Sequence, residues 1–577
     1  MCKSKVSNFF KLESSRSDNF CNGSVGARTK LQFCDSLRDR CKNYSGSDFL
    51  CLKKLLILLI YMLPLVLYFS YYPIIPLGSN ETMNFELSLP LIWLVVFDVV
   101  GVVVMLQKRL VGKIWRDSGW EKWLWILLPL WVSLSAVWSL NMTRGVLTAG
   151  ILWLIYLAIL LMITVIPAVV EDFARFRRTF LKWFLGSTIL VCVWCAVQCV
   201  LDVMGVGQNC TLLCDGCTYG MFGFPHPNGF AIEPQFMGNL LLAPVITMIW
   251  LMLDDRTRFT SENSVRPLLF CFFITSVTLF LTFSRGAIYA FVVGLTFMTV
   301  FMLVRARRGE ERKTLFRRSG VVWGVTVLAF LFTLNLQGVF AQVAPTSDTY
   351  GDGVAKVLNH LSLGVIDVRG GEEKNGAEVE SAEIEVVKMR SGEDDNWVVE
   401  NSVENLDENR GENGNDLEMR EPVFDGYVAE STDTRVRLTG AALEVWSQDF
   451  KTMVIGVGIG GAGQALYDNR LASTPKEIVQ NEYASLLLEA GVVGVLLLGM
   501  TIVLIVRLFI KGVNIDRGKK TEYVVVGGKG VAPLLLVLIV AYGVTLCFFS
   551  GLSNALQIYL MPAVLMVIFG EVKNKAR

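Results

Sequence analysis

The sequence predicts an all-α, polytopic membrane helix bundle of about 12 transmembrane helices with one large extracytoplasmic loop. The 577 residues are 53% hydrophobic and only 18% charged, and the mean hydropathy is +0.49, which is not the composition of a water-soluble chain. The 53 Lys and Arg residues nearly balance the 52 Asp and Glu residues. A global basic field for binding nucleic acid is therefore absent, and we expect membrane lipids but no nucleic acid as partners.

The spans follow from hydropathy, because a bilayer core needs roughly 20 apolar residues per helix. Runs rich in Leu, Val, Ile and Phe favour helices over the alternating strands of a barrel. The spans are expected near 53–74, 88–107, 121–140, 146–169, 180–205, 233–253, 267–283, 286–306, 319–341, 483–510, 531–551 and 553–571. Residues 1–51 form a polar, disordered tail in this scheme, 52–342 contain transmembrane helices 1–9, 343–482 form the large loop, and 483–572 contain helices 10–12.

Orientation follows from the placement of Lys and Arg, which concentrate in alternate loops near 108–116, 175–182, 256–266, 305–318 and 507–529. Positive charge marks the cytoplasmic side of a membrane protein. The basic residues near both ends of the chain fall on that same side, so both termini are predicted to be cytoplasmic. This requires an even number of spans, as the hydropathy indicates.

The large outer loop is divided by composition. Residues 371–422 contain 17 acidic and five basic residues, and such a segment is predicted to be a disordered insertion. Calcium binding is the alternative, but the spacing of an EF-hand loop is missing, which favours a solvated linker. Near 435–449 an apolar face of Leu438, Ala441, Ala442 and Val445 predicts a helix, and IGVGIGGAG supplies a glycine turn after it.

Three of the 13 cysteines, Cys210, Cys214 and Cys217, are expected to face outward. One disulfide among them is favoured over a zinc site completed by His226, so no metal is expected. The sequence contains no Walker loop, HExxH or GxSxG motif, which argues against the commonest ATPase, zinc protease and serine hydrolase classes. No cofactor is expected.

The few arginines in the predicted outer loops are unusual, because these loops carry little other positive charge. Arg144 follows the third span, Arg285 lies in the turn of LTFSRGA, and Arg435 and Arg437 begin the helix of the large loop. A single arginine of this kind often anchors a helix end by reaching to lipid headgroups. Several on one face of the membrane indicate an anionic ligand.

Four segments together resemble the O-antigen ligase and O-antigen polymerase superfamily, which are bacterial polytopic membrane glycosyltransferases of surface polysaccharide assembly. They are LSAVWSLNMTRGVLTAGILWLIYL, TLFLTFSRGAIYAFVVG, TRVRLTGAALEVWSQDFKTMVIGVGIGGAG and QNEYASLLLEAGVVGVLLLG. Each segment alone matches the family only weakly. Their order along the chain and their shared position on the outer side of the membrane make the resemblance specific over roughly residues 50 to 570.

The resemblance implies a multi-pass protein of the bacterial plasma membrane that transfers or polymerises a glycan without a metal. The donor is a polyprenyl-diphosphate-linked glycan, and the acceptor is a glycan or a lipid. Arg285 and Arg435 are expected to hold the diphosphate, with Arg437 and Arg144 as further candidates. One guanidinium group can donate two parallel hydrogen bonds to phosphate oxygens.

The chain departs from the family at one position, where Gln480 replaces the histidine expected as the base. Glutamine cannot accept a proton at neutral pH, so Glu482 and Glu233 are the candidates for that role. Gln480, Asn481 and Glu482 make up the predicted catalytic segment, while Tyr483, His226 and Ser284 are further site candidates. Glu233 equally fits a helix N-terminal acid that complements the helix dipole.

Two other functions stay open at this point. Twelve spans is a common number for a transporter, and the missing histidine is compatible with a non-catalytic assembly factor. A transporter should show two similar halves and charged residues in the middle of its spans. We find no such repeat and expect no mid-span Asp, Lys or Arg, which favours the enzyme.

Overall fold

The computed structural model describes residues 50–79, 84–108, 110, 121–206, 208–214, 217–254, 262–306, 309–344, 349–362, 424–511, 513–516, 523–526, 530–548 and 555–570. The described chain is mostly helical. Its helices are α1 (Leu50–Tyr68), α2 (Leu89–Gln107), α3 (Glu121–Ser135), α4 (Met142–Val169), α5 (Phe173–Val203), α6 (Gln208–Thr211), α7 (Tyr219–Phe222), α8 (Pro234–Leu253), α9 (Glu262–Leu281), α10 (Arg285–Arg305), α11 (Gly309–Val343), α12 (Tyr350–Leu361), α13 (Phe424–Ser447), α14 (Phe450–Ile455), α15 (Ala462–Asp468), α16 (Glu482–Lys511), α17 (Ala532–Thr545) and α18 (Leu556–Phe569).

A short 3₁₀ helix (Ala136–Trp138) and two short antiparallel hairpins complete the described secondary structure. Strand β1 (Ile74–Ser79) pairs with β2 (Asn84–Ser88) directly before α2. Strand β3 (Val513–Asp516) pairs with β4 (Tyr523–Val526) between α16 and α17. Both hairpins link helices of the bundle.

Eight of the described helices are long and apolar enough to cross a membrane, namely α1, α2, α4, α5, α8, α10, α11 and α16. Apolar helices in α3, α9, α17 and α18 are shorter than a span, although each coincides with a stretch that hydropathy selects. The protein is therefore a multi-pass membrane protein, and the count of about 12 spans remains a prediction.

The expectation that no span carries a mid-helix acid is wrong. Asp98 lies at the middle of α2 and is only 3% exposed. Asp202 is also buried, near the end of α5, where its Oδ2 accepts a hydrogen bond from the Tyr219 backbone at 2.8 Å. Hydropathy averaged over a whole span hides one acid among many apolar neighbours, which explains the error.

The centre of the bundle is α8, which is buried along its whole apolar length. It packs against α10, α9 and α17, while α10 packs along α17 and α4 packs along α18 and α2. Burial of α8 follows from its all-round apolar sequence, because a helix with no polar face belongs in a core. Helices α11 and α16 expose most of their apolar surface, as expected of helices in contact with lipid.

Four helices described in the large loop, α12 to α15, cover the ends of these spans. The helix expected near 435–449 is present as part of α13, which begins earlier, at Phe424, and ends at Ser447. Asp449 then caps the short helix α14 by accepting from the Thr452 backbone at 2.9 Å. The predicted disordered insertion 371–422 and the tail 1–49 lie outside the described residues.

The glycine turn of the loop is inserted between two spans. Backbone N–H groups of Val457 and Gly458 donate to the carbonyls of Leu488 and Glu489 in α16, both at 2.9 Å. These carbonyls are available because α16 breaks at Gly491, whose φ of 65° and ψ of −173° are not helical. A third carbonyl freed by the break accepts the Trp131 indole. The backbone N–H groups of the glycine turn thus attach the loop to α16. In other glycine-rich turns such groups bind phosphate.

Candidate functional site

The site begins at the turn before α10. Arg285 is the first residue of this helix, and Ser284 is its N-cap, with Oγ accepting from the Ala287 backbone at 3.4 Å. Phe283 has a φ of 45°, so the chain turns sharply between α9 and α10. Helix α8 packs tightly here, because a Cβ on Gly238 would lie 2.7 Å from that of Ala287. This packing holds Arg285 at one end of the bundle.

Two histidines lie beside this turn. His226 comes from the loop before α8 and His360 from the last turn of α12, and their ring centroids are 6.1 Å apart. His360 Nε2 lies 3.2 Å from the Phe283 carbonyl oxygen. Both rings are buried and pack edge-on against Phe224. The histidines therefore share one apolar pocket beside Arg285.

Burial is the main cause of the altered basicity of both rings. It lowers the pKa of His226 to about 3, with the neighbouring His360 and Arg285 acting in the same direction. It also lowers the pKa of His360 to about 4, helped by the positive charges of Arg285 and Arg435. Both imidazoles are consequently neutral at pH 7.

Arg435 reaches the same region from α13. Its Nη2 donates to Gln235 Oε1 at 3.3 Å, in the first turn of α8. Glu233 directly precedes α8, and its pKa is raised by burial and partly lowered again by Arg435. Arg285 and Arg435 both influence His360 electrostatically, so both side chains lie in the neighbourhood of this ring.

Helix α12 adds a lysine to this site. Lys356 lies one turn before His360, on the buried face of the helix, and packs against Gly223. A capping box between Thr349 and Asp352 fixes the start of α12. The helix then lies so close to α11 that a Cβ on Gly353 would be 2.7 Å from the Gln337 carbonyl oxygen. The histidine and the lysine are thereby fixed in position.

The other predicted arginines lie elsewhere. Arg437 is exposed, two residues after Arg435, and this spacing turns it about 200° around the helix. Arg144, in the first turn of α4, lies by the glycine turn and interacts electrostatically with Glu489 of α16. Glu489 Oε1 also accepts from the Ala462 backbone at 3.3 Å. This second group connects α4, α16 and the loop.

The predicted catalytic segment forms the start of α16. Asn481 caps the helix, because its Oδ1 accepts from the backbones of Tyr483 and Ala484, both at 3.1 Å. The Tyr483 hydroxyl donates to the Gly543 carbonyl at 2.8 Å, and the Glu482 backbone donates to the Leu546 carbonyl at 2.9 Å. Gln480 is partly buried. These bonds attach the segment to the end of α17.

The end of α17 links this segment to Arg285. Phe548 lies two residues after Leu546 and packs on Gly286, where an added Cβ would be 3.0 Å from the Phe548 Cβ. The Tyr289 and Phe548 rings are 6.2 Å apart. Residues 546–548 thus contact the start of α16 on one side and the start of α10 on the other.

The outward cysteines form one pair. The structure joins Cys214 and Cys217 in a disulfide and places Cys210 as an exposed thiol. Among the described residues, no group of three His, Cys, Asp or Glu side chains could hold a metal ion. Two of the three cysteines of the alternative zinc site are therefore bonded to each other and have no free thiol.

Sequence reasoning predicted Arg285, Arg435, Glu233 and His226 as site candidates but did not include α12. The signals for this helix are present in TYGDGVAKVLNHL, with a capping box at its start and buried positions at helical spacing. His360 of this helix and Phe283, which it contacts, are 77 residues apart along the chain. A contact of that range cannot be deduced from periodicity.

The fold defines a multi-pass membrane protein with a group of cationic side chains near one end of its helices. Residues 270–499 match the O-antigen ligase family model. This match covers less than half of the chain and supports the resemblance to the O-antigen ligase superfamily. The matched family and the apolar helices together support a membrane enzyme of glycan assembly. No curated protein and no solved structure matches the chain.

The matched segment runs from α9 into α16. It contains Arg285, Arg435 and His360, whereas His226 and Glu233 lie before it. The site is thus built on the family's domain and completed by the loop that leads into α8.

Proposed function

We propose that the protein is an O-antigen ligase or polymerase that transfers a glycan from a polyprenyl diphosphate on the outer face of the bacterial plasma membrane. The observation that carries the proposal is the convergence of Arg285 and Arg435 beside the neutral His360 at the end of the span bundle. The lipid tail of such a donor lies in the bilayer, and its diphosphate lies at the headgroup level. A cationic site at a span end matches that geometry.

The reaction joins an acceptor oxygen to the anomeric carbon of the donor glycan. The bond from this carbon to the phosphate oxygen breaks, and its electron pair stays on the diphosphate. Negative charge therefore develops on the leaving group, where Arg285 and Arg435 would hold it with paired hydrogen bonds. The N-terminus of α10 adds the positive end of its helix dipole at the same place.

The test is release of polyprenyl diphosphate by the purified protein from a polyprenyl-diphosphate-linked oligosaccharide. One well-placed donor in an electrostatic site is worth about 3 kcal/mol, or roughly a 100-fold change in rate. Arg285→Ala and Arg435→Ala should each lose about that much. Lysine keeps the charge but lacks the planar fork, so Arg285→Lys and Arg435→Lys should also be strongly impaired.

Arg437→Ala is the matched control, because Arg437 is exposed on the same helix as Arg435. It should retain wild-type release at equal protein abundance. If Arg285→Ala and Arg435→Ala release polyprenyl diphosphate as fast as Arg437→Ala, the two arginines are headgroup anchors and the proposal fails.

A transporter is the second candidate, because Asp98 is a buried acid at the centre of a span. The same assay separates the two functions. A transporter would leave the donor intact, whereas the enzyme would release polyprenyl diphosphate. The position of the arginines at the span ends, away from Asp98 in α2, favours the enzyme.

A further inference from the structure

The chain contains two histidines, and the structure brings both into one pocket beside Arg285. Both rings are more than nine-tenths buried, with His226 9% and His360 6% exposed. Within the described residues, His360 Nδ1 makes no hydrogen bond, whereas His226 interacts with the Thr282 backbone. A buried polar atom without a partner costs roughly 1–3 kcal/mol. His360 Nδ1 is therefore an acceptor that the described chain does not use.

The tautomer of His360 follows from its partner. Nε2 faces the Phe283 carbonyl oxygen at 3.2 Å, and a carbonyl can only accept a hydrogen bond. Nε2 therefore carries the proton. In a neutral ring this leaves the lone pair on Nδ1, which is the atom that can accept a proton.

The groups facing His360 explain why the ring is neutral before substrate arrives. Arg285 faces it from the start of α10, Arg435 from α13 and His226 from the loop before α8, while Lys356 is on its own helix. All of these groups are neutral or positive. Burial is the main cause that lowers the pKa of His360 to about 4, and Arg285 and Arg435 act in the same direction, so the ring is unprotonated throughout the neutral range.

We propose that Nδ1 of His360 accepts the proton of the acceptor hydroxyl in the glycosyl transfer described above. This rests on the proposed function. The acceptor oxygen forms its bond to the anomeric carbon, its proton moves to Nδ1, and the electron pair of the broken carbon–oxygen bond stays on the diphosphate. The resulting imidazolium then lies beside the newly charged diphosphate.

The arrangement couples the two charges. The arginines oppose protonation of His360 while the site is empty, and a diphosphate held by them cancels this opposition. Each negative charge at about 5 Å raises the pKa of a neighbouring histidine by about 2 at an effective dielectric constant near 20. His360 therefore becomes a stronger base as the leaving group develops charge.

The two carboxylates proposed from sequence are the alternatives to His360. Glu233 lies beside Arg435 at the N-terminus of α8, where burial raises its pKa and Arg435 partly lowers it again. Glu482 lies at the start of α16, where its backbone donates to the Leu546 carbonyl at 2.9 Å. Among the described residues, His360 has its Nε2 against the Phe283 carbonyl and is influenced by both Arg285 and Arg435.

The presence of just two histidines makes a direct test possible. Protein labelled with ¹⁵N-histidine is titrated by NMR with and without inorganic pyrophosphate, and the two ring signals are assigned with His226→Gln and His360→Gln. The signal of His360 should show the Nε2–H tautomer. Its pKa should rise from about 4 to about 8 when pyrophosphate binds.

A second measurement separates proton transfer from structure. Glutamine at 360 can still donate to the Phe283 carbonyl but cannot accept a proton. His360→Gln should therefore bind pyrophosphate like the wild type yet release polyprenyl diphosphate at least about 100-fold more slowly. Asn359→Ala, on the same helix, is the control and should keep the wild-type rate.

The outcomes distinguish the two proposals. If the wild type binds no pyrophosphate, the arginine site and the proposed function fail, and the role of His360 fails with them. If pyrophosphate binds but the pKa of His360 does not move, or the proton is found on Nδ1, only the role of His360 is overturned. A wild-type rate in His360→Gln overturns it as well.

Discussion

Replacing Gly491 by alanine should destabilise the protein, because the break in α16 depends on this glycine. Its φ of 65° and ψ of −173° belong to a region that only glycine adopts readily, and forcing another residue into it costs about 2 kcal/mol. A Cβ there would also lie 2.3 Å from the Val454 carbonyl oxygen. Since that neighbour is backbone, α14 and the glycine turn would have to move.

The movement would weaken the bonds that hold the turn. The Val457 and Gly458 backbones donate to Leu488 and Glu489 at 2.9 Å, and each such bond contributes about 1 kcal/mol. Strain and two lost bonds together give about 4 kcal/mol for Gly491→Ala. Gly499→Ala is the matched control, two turns further along α16, where an added Cβ meets nothing within 4 Å.

The assay compares the thermal midpoints of both variants in detergent, together with their abundance in membranes. Alanine favours a helix over glycine by about 1 kcal/mol, so Gly499→Ala should equal or exceed the wild type. Gly491→Ala should melt well below it and accumulate poorly. Equal midpoints for Gly491→Ala and Gly499→Ala would refute the assignment of Gly491 as the point where the loop is fixed.

Three further predictions test the membrane arrangement. Reporters fused at Arg312 and Arg517 should give cytoplasmic signals and reporters within 371–422 external ones, and a cytoplasmic signal from the acidic segment would reverse the orientation. Deleting 371–422 should leave expression and release of polyprenyl diphosphate intact, because loop entropy changes only with the logarithm of loop length; loss of folding would show that the segment is a structured domain. Asp98→Leu should raise the thermal midpoint, since it removes a buried carboxyl without a hydrogen-bond partner in the described chain, a gain of about 1–3 kcal/mol; a lost activity with intact folding would assign Asp98 a function.

The apolar pattern of the chain predicts its helices well, because burial in lipid requires long uninterrupted apolar segments. The helix α8 begins at Pro234 and ends at Leu253, close to the expected 233–253. The turn before α10 was predictable as well, since Ser284 is a strong capping residue that directly precedes Arg285. Local sequence determines these features.

Features that depend on long-range contacts could not be predicted in the same way. The position of His360 results from α12 packing on α11 and reaching the Phe283 turn, and neither contact leaves a periodic signal. The difference between Arg435 and Arg437 was available from helix geometry, but which of them faces the protein depends on where α13 packs. The sequence around Gly491 fits a continuous helix. The break in α16 at this residue depends on the glycine turn of the large loop, whose backbone bonds to the carbonyls that the break leaves free.

The contacts of residues 546–548 also set the order in which this end of the protein is assembled. These residues are synthesised late, yet they contact both Gly286, next to Arg285, and the backbone of Glu482. A chain still emerging from the ribosome can contain α10 and α16 but lack the segment that packs against the start of both. The starts of these two helices are therefore joined only when the end of α17 has been made.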